Sequence, residues 1–344
     1  MEAQLPATSI IPRVGGLTLA QWQRLGLAAV LIVAVALPFV VGNYRVFQFT
    51  LAMIYAIALL GLNMLTGFNG QFSLGHGAFY AIGAYTTAIM LDRWGIAYGW
   101  TIPVAGLVCL VVGFLFGLPA LRLEGLYLAL ATFALALAAP QILKYFEGWT
   151  GGVQGIVIIK PAAPFGLPLN EDEWLYFLTL AILIVLFALA RNLLRGRVGR
   201  AMVAIRDHHI AAETMGVNSA LYKSLTFGVS ALYTGIAGSL GAIVVQFVAP
   251  DSFSIFLSIN FLVGSVVGGL ATISGAIIGG IFILFVPNMA ELVSKAAPGA
   301  IYGIFLIVFM YVMPGGIAGS LKMVIHRWFS GNAPAVNAGK VATK

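Results

Sequence analysis

Apolar residues in this chain gather into long runs separated by short polar stretches, at roughly 26–42, 46–66, 76–92, 97–118, 123–146, 174–190, 225–249, 253–271, 275–293 and 299–314. Crossing the hydrocarbon core of a bilayer takes a helix of about 20 mostly apolar residues. The pattern therefore predicts an all-α integral membrane protein with about ten transmembrane helices. The membrane domain covers 26–314, between an N-terminal segment at 1–25 and a tail at 315–344. Arg13 and Arg24 precede the first run, as in a signal peptide. However, Val40-Val41-Gly42-Asn43 is a poor cleavage site and further spans follow at once, so an uncleaved first helix is expected.

Composition supports the membrane reading. Hydrophobic residues make up 61% of the chain and charged residues 8%, with a mean hydropathy of +1.01. A soluble domain carries roughly 25% charged residues to solvate its surface. The lone Cys109, in an apolar run, excludes an intrachain disulfide and a thiolate metal cluster. A net charge of +7 fits cytoplasmic loops facing anionic headgroups, and nucleic acid is not expected as a partner.

Lys and Arg set the orientation. With the N-terminus inside, ten spans place 13 of the 18 basic residues in inner loops and only Arg45, Arg93, Lys144, Lys160 and Lys295 outside. Both termini are then cytoplasmic. Five spans per half give the two halves opposite orientations, so an inverted five-plus-five repeat is expected. The longest outer loop, 147–173, contains Pro161, Pro164 and Pro168, which keep it from being helical throughout. The longest inner loop, 191–224, is basic at first and then helix-like.

Of the 41 glycines, the pairs Gly113/Gly117, Gly264/Gly268, Gly275/Gly279 and Gly299/Gly303 fall four apart, on one helix face, where they let neighbouring backbones approach. The segment 67–77 sets Asn69, Gln71, Ser73 and His76 between two apolar runs, and 268–275 joins two spans with almost no polar loop. Irregular backbone at membrane depth must pack on protein or line a cavity. Asn69, Gln71, Ser73 and His76 are thus candidates for the translocation path, or members of a tight turn. Ser254 and Ser258 share a helix side with Ser265, and Asn260 is close by; these line a path or bond to neighbouring helices. No charged residue sits near the middle of a span, which disfavours a proton-coupled carrier.

No catalytic set or phosphate-binding loop appears; Gly339-Lys340 lacks the upstream glycine and the following hydroxyl residue. His208 and His209 are adjacent, so on a continuous helix they face different ways. From Gly199 the inner loop repeats Ala201, Ala204, Ile205, Ala211, Ala212 and Met215 at helical spacing, edged by Arg206, Asp207 and Glu213. Gly216 would end this helix. It either lies on the lipid interface or docks on a partner; its small alanines favour docking.

Four stretches in order, GLNMLTGFNGQFSLGHGAFYAIGAY (61–85), TGGVQGI (150–156), GRAMVAIRDHHIAAETMGV (199–217) and GGLATISGAIIGG (268–280), resemble the LivM-type permeases of bacterial branched-chain amino-acid ABC importers. The resemblance covers roughly 45 to 325. It implies a multi-pass subunit of the bacterial inner membrane that pairs with a second, homologous permease, with two cytoplasmic ATPases and with a periplasmic solute-binding protein. ATP and magnesium would be used by the ATPases, and no cofactor is expected in this chain. The resemblance also implies that the helix bearing Gly199, Arg200, Ala204, Ile205, Arg206, Asp207, Ala211, Ala212, Glu213 and Gly216 seats in a cleft of the ATPase and passes its closure to the spans. His208 and His209 stand where many relatives have an acidic residue. Related permeases serve urea, short amides or aromatic acids, because the binding protein carries most of the selectivity. Two other readings stay open: a self-sufficient channel or facilitator for a small neutral solute, and a membrane-embedded enzyme, which would need a polar catalytic cluster at the interface.

Overall fold

The computed structural model describes residues 13–14, 17–123, 125–164, 168–293, 298–313, 315–321 and 323. Residues 1–12 of the expected N-terminal segment, the tail beyond 323, and Glu124, Lys295 and Lys322 lie outside the described residues. The chain is mostly helical: α1 Leu19–Val40, α2 Asn43–Asn63, α3 His76–Trp94, α4 Tyr98–Ala120, α5 Leu126–Tyr145, α6 Glu147–Thr150, α7 Glu171–Arg195, α8 Arg197–Thr214, α9 Ser219–Val245, α10 Ile255–Gly268, α11 Ile273–Val293 and α12 Pro298–Val312. Every one of the ten apolar runs falls on one of these helices.

Among the described residues, eight helices are long and apolar enough to cross a membrane; the first run contributes the shorter apolar stretch Ala28–Val40. The run at 76–92 forms α3, which is absent from the eight. His76, Asp92 and Arg93 at its ends, with its glycines, tyrosines and threonines, lower its hydropathy, and most of its residues are buried against other helices. A helix sheathed by protein does not need a surface that dissolves in lipid.

Two helices form the centre. In both α2 and α9, 78% of the apolar stretch is buried, and they pack on each other. On one side α9 packs on α3 and α4; on the other α2 packs on α10 and α11, while α3–α4 and α10–α11 form neighbouring pairs. The expected glycine faces explain these close crossings. A Cβ at Gly113 would strike Ala231 of α9, and one at Gly264 would lie 2.7 Å from Ile283 Cγ2 of α11. Gly268 faces Gly275 and Gly279 across the α10–α11 turn. Gly299 and Gly303 differ: nothing lies within 4 Å of the place a Cβ would take, so among the described residues this pair serves no close approach. Spacing alone cannot tell a packed glycine face from an open one, because both have the same period.

The connecting segments separate to two ends. At one end 67–75 meets α8, where Arg206 Nη1 donates to Gly67 O at 2.9 Å, and the 269–272 turn bonds to Asn63 at the last turn of α2. At the other end Ile156–Val157 pairs antiparallel with Phe247–Val248, Arg93 donates to Gly148 O, and Lys144 meets Asp251 at 2.6 Å. The prolines of 147–173 act as expected. Among its described residues that loop holds α6, short 3-10 turns and this two-residue strand before α7. The α7 start is set by Asn170 and Glu173, whose side chains form a capping box.

Candidate functional site

The inner-loop helix exists, but it is broken. α8 begins at Arg197, and His208 has φ −161 and ψ 96, so the helix stops and restarts there. His208 Nδ1 accepts from the Ala211 N–H at 3.4 Å, the reach of an N-cap side chain to the third residue of a new helix. An acidic side chain at this place would supply the same acceptor. The break also corrects the expectation for His208 and His209. Their rings stack with centroids 6.5 Å apart and do not diverge around a continuous helix.

α8 ends as the glycine predicts. Gly216 has φ +83, a left-handed conformation that glycine adopts without a Cβ penalty. There the Gly216 N–H reaches Glu213 O at 2.9 Å and the Val217 N–H reaches Ala212 O at 3.0 Å. Gly199, Ala201, Met202, Ile205 and Ala212 are buried on the side facing the bundle. Ala204, Ala211 and Glu213 are exposed, as are Arg200 and Asp207. Ile210 is 57% exposed and Met215 83%. One side of α8 is therefore the bundle's, and the other exposes Ile210 and Met215 beside charged Arg200, Asp207 and Glu213.

Arg206 crosses between the two. Besides Gly67 O, its guanidinium contacts Asp207 Oδ1 at 2.9 Å through both Nε and Nη2. Its aliphatic stem lies over Gly70, which has φ +74 and where a Cβ would come within 2.8 Å of Arg206 Cγ. A groove of about 160 Å³ runs alongside, lined by Asn69, Gln71, Leu123, Ile205, Arg206 and Lys223 among others.

The polar residues of 67–77 are locked into the protein. Asn69, Gln71, Ser73 and His76 are all buried. Asn69 Nδ2 donates to Gln71 Oε1 at 2.9 Å, and the Gln71 carbonyl accepts from Thr66. His76 Nε2 lies 2.6 Å from Ser230 Oγ, and Nδ1 lies 3.1 Å from Ser73 Oγ. Ser230 spends its single proton on Gly61 O at 2.6 Å, so it must accept from His76 Nε2–H. In the neutral ring Nδ1 then accepts from Ser73, and a one-way chain of donors runs from Ser73 to α2. Ser258 is drawn in as well, its Oγ accepting from the Gly77 N–H at 2.9 Å. The remaining two candidates stand apart from this network. Ser254 is the residue before α10, and Asn260 is half-buried along it.

Three residues that the pattern of apolar runs did not single out complete the arrangement. Thr132 of α5 accepts from the Leu74 N–H at 2.9 Å, Ser230 accepts from His76, and Asn63 holds the 269–272 turn. Each is a polar residue in an apolar run that holds other polar residues too, so its position in the run does not mark it out. Among the described residues no group of three or more His, Cys, Asp or Glu side chains is placed to hold a metal ion.

Residues 44–314 match a family model described as the permease component of branched-chain amino acid transport systems. The LivM high-affinity branched-chain amino acid permease protein of Escherichia coli K12 is 35% identical over 298 residues, covering 80% of this chain and 70% of that protein. LivM of Salmonella typhimurium is also 35% identical, covering 76% and 67%. The E. coli K12 LivH permease protein is 27% identical, covering 78% of this chain and 92% of LivH. No solved structure matches the chain.

Proposed function

Because the chain belongs to the family of branched-chain amino acid transport permease components and is a multi-span membrane protein, we propose that it is one permease half of an ATP-binding-cassette importer in the bacterial inner membrane. Its cargo is branched-chain or related amino acids. A second homologous permease, two cytoplasmic ATPases and a periplasmic binding protein complete the assembly, and this chain does no chemistry of its own. The observation that carries the reading is α8: a helix outside the bundle, apolar on its free side at Ile210 and Met215, and bonded through Arg206 to the turn after α2. A self-sufficient channel has no use for such a surface. An importer needs one to receive work from an ATPase.

Ten spans with both termini inside agree with the packing. The end that gathers 67–75, α8 and 269–272 also holds Arg191, Arg195, Arg197, Arg200, Arg206 and Lys223, whereas Arg93, Lys144 and Lys160 mark the other. Exchanging α1–α5, in order, for α7 and α9–α12 turns the α4–α9 contact into α11–α2, α3–α9 into α10–α2, and α3–α4 into α10–α11. That exchange supports the inverted five-plus-five repeat. Within it, 147–173 receives the loaded binding protein and 191–224 receives the ATPase, through the residues Gly199 to Gly216 named above. Transport proceeds by alternating access, driven by nucleotide that binds one state more tightly than the other.

A mild-detergent pull-down of the chain from its native host, read by mass spectrometry, tests the assignment. A second permease and two phosphate-loop ATPases should accompany it. Recovery of the chain alone, in a preparation that preserves other membrane complexes, would replace the importer with a self-sufficient facilitator.

A further inference from the structure

We propose that Asn63 is a positioning residue of the transport cycle, which carries displacement of α8 through Gly67 into the α10–α11 turn. The inference rests on the permease reading above. Asn63 is 1% exposed, in the last turn of α2. Burying an amide is costly unless its polar groups are paired, and here both ends of the amide are. Nδ2 donates to Thr272 O at 2.8 Å and to Gly269 O at 3.3 Å, and Oδ1 accepts from the Ala271 N–H at 2.8 Å. None of these bonds serves its own helix. All three go to a turn more than 200 residues away in the chain.

The turn is held in a conformation that needs a holder. Ala271 has φ +56, which is unfavourable for a residue with a Cβ, and Gly269 has φ +118. On its far side Gly269 presses on Gly316 beyond α12, where a Cβ would stand 2.5 Å from the Gly269 Cα. The turn joins α10 to α11, whose glycine faces interlock at Gly264, Gly268, Gly275 and Gly279. A displaced turn must therefore move both helices or break that packing.

Gly67 lies between this latch and α8. The place of its missing Cβ is occupied by Asn63 Oδ1 and the Ala271 amide, while its carbonyl accepts from Arg206. It belongs to the π-helical turn Met64–Phe68 that ends α2, a kind of turn often found at functional sites. Arg206, Gly67, Asn63 and the 269–272 turn thus form one unbroken line of contacts from the free helix into the second half of the bundle. Adjacency alone does not establish coupling, so the variants must be tested in series.

Two measurements decide the matter. In the first, the assembled importer is purified with its partners, reconstituted in proteoliposomes, and assayed for cargo imported per ATP hydrolysed. Asn63→Ala should assemble and hydrolyse ATP within about two-fold of the wild-type protein while import per ATP falls about ten-fold, and Arg206→Ala, which lies in the docking helix, should lower the same ratio whatever it does to assembly and hydrolysis. The double variant should be no worse than either single one, as expected for parts acting in series, and Arg206→Lys, which keeps one donor for Gly67 O, should recover part of the ratio. An unchanged ratio, or losses that multiply in the double variant, overturns the proposal.

The second measurement uses the chain alone. Hydrogen exchange at the Ala271 amide should accelerate about ten-fold in Arg206→Ala as well as in Asn63→Ala. Acceleration in Asn63→Ala only would leave Asn63 as a local brace and overturn the relay. Should no ATPase accompany the wild-type chain, the importer reading fails while hydrogen exchange still decides the relay.

Discussion

His76 donates from Nε2 to Ser230 Oγ across 2.6 Å, tying the first turn of α3 to the middle of α9. Both ring nitrogens of the buried His76 are engaged, so it braces the two helices against each other. Replacing Ser230 by Ala leaves the Nε2–H buried without an acceptor. An unsatisfied buried donor costs about 1–3 kcal/mol, so Ser230→Ala should lower the melting temperature of the purified protein, and Ser230→Thr should restore most of it. Thermal unfolding followed by tryptophan fluorescence reads both; equal stability in all three would show that the bond contributes nothing.

Gly70 lies beneath the stem of Arg206 with φ +74. The left-handed conformation costs a non-glycine residue roughly 1–2 kcal/mol, and a Cβ there also presses on Arg206 Cγ. Gly70→Ala is expected to destabilise the protein by at least that amount and to loosen α8. Limited proteolysis between 191 and 224 should become faster, and an unchanged cleavage rate would contradict the packing described for Arg206.

Two glycines on helices offer a direct contrast. Gly83 of α3 faces Gly235 of α9 so closely that a Cβ would lie 2.6 Å from the Gly235 Cα, whereas nothing approaches Gly303 of α12. Overpacking of this kind costs typically 1–3 kcal/mol, while a substitution away from packed features stays within about 0.5 kcal/mol. Gly83→Ala should therefore unfold at lower temperature and Gly303→Ala should match the wild type, with both measured in the same detergent. A loss at Gly303 as large as at Gly83 would point to a partner covering α12.

The free side of α8 predicts loss of assembly without loss of insertion. Gly216 needs φ +83 and Glu213 is exposed beside it. Gly216→Val and Glu213→Lys should abolish recovery of ATPase subunits in the pull-down while the chain still reaches the membrane. His208→Asp should be tolerated, because aspartate also caps a helix, whereas His208→Ala should cost about 1 kcal/mol of cap energy. Normal association and uptake in both Gly216→Val and Glu213→Lys would remove α8 from the docking role.

Much of this architecture was legible in the chain because lipid makes it so. Apolar runs long enough to span hydrocarbon have little alternative to helix, since every backbone N–H and C=O must be paired within the segment. All ten expected runs are helical for that reason, and Gly216 ends α8 because no side chain competes at its left-handed position. The break at His208 was not legible, since Ala204 and Ala211 keep helical spacing across it and only the backbone shows the interruption. Nor could spacing separate Gly299 and Gly303 from the glycine pairs that pack. The candidate path residues fared differently among themselves. Ser73 and His76 bond to each other and through His76 to Ser230, Asn69 bonds to Gln71, Ser258 accepts from the Gly77 N–H, and Ser254 and Asn260 stand outside these contacts.

By itself the sequence determined what depends on local composition: a multi-span membrane protein, the placement of its apolar helices, the breaks made by proline and glycine, and, through four ordered motifs, the permease family. Only the tertiary structure decided which polar side chains meet. Asn63 and Thr272 are separated by 209 positions and His76 and Ser230 by 154, yet each pair is within hydrogen-bonding distance. No periodicity along a chain encodes such pairs. They arise where helices are brought together by glycine faces, and a buried polar group must then take whichever partner the crossing supplies.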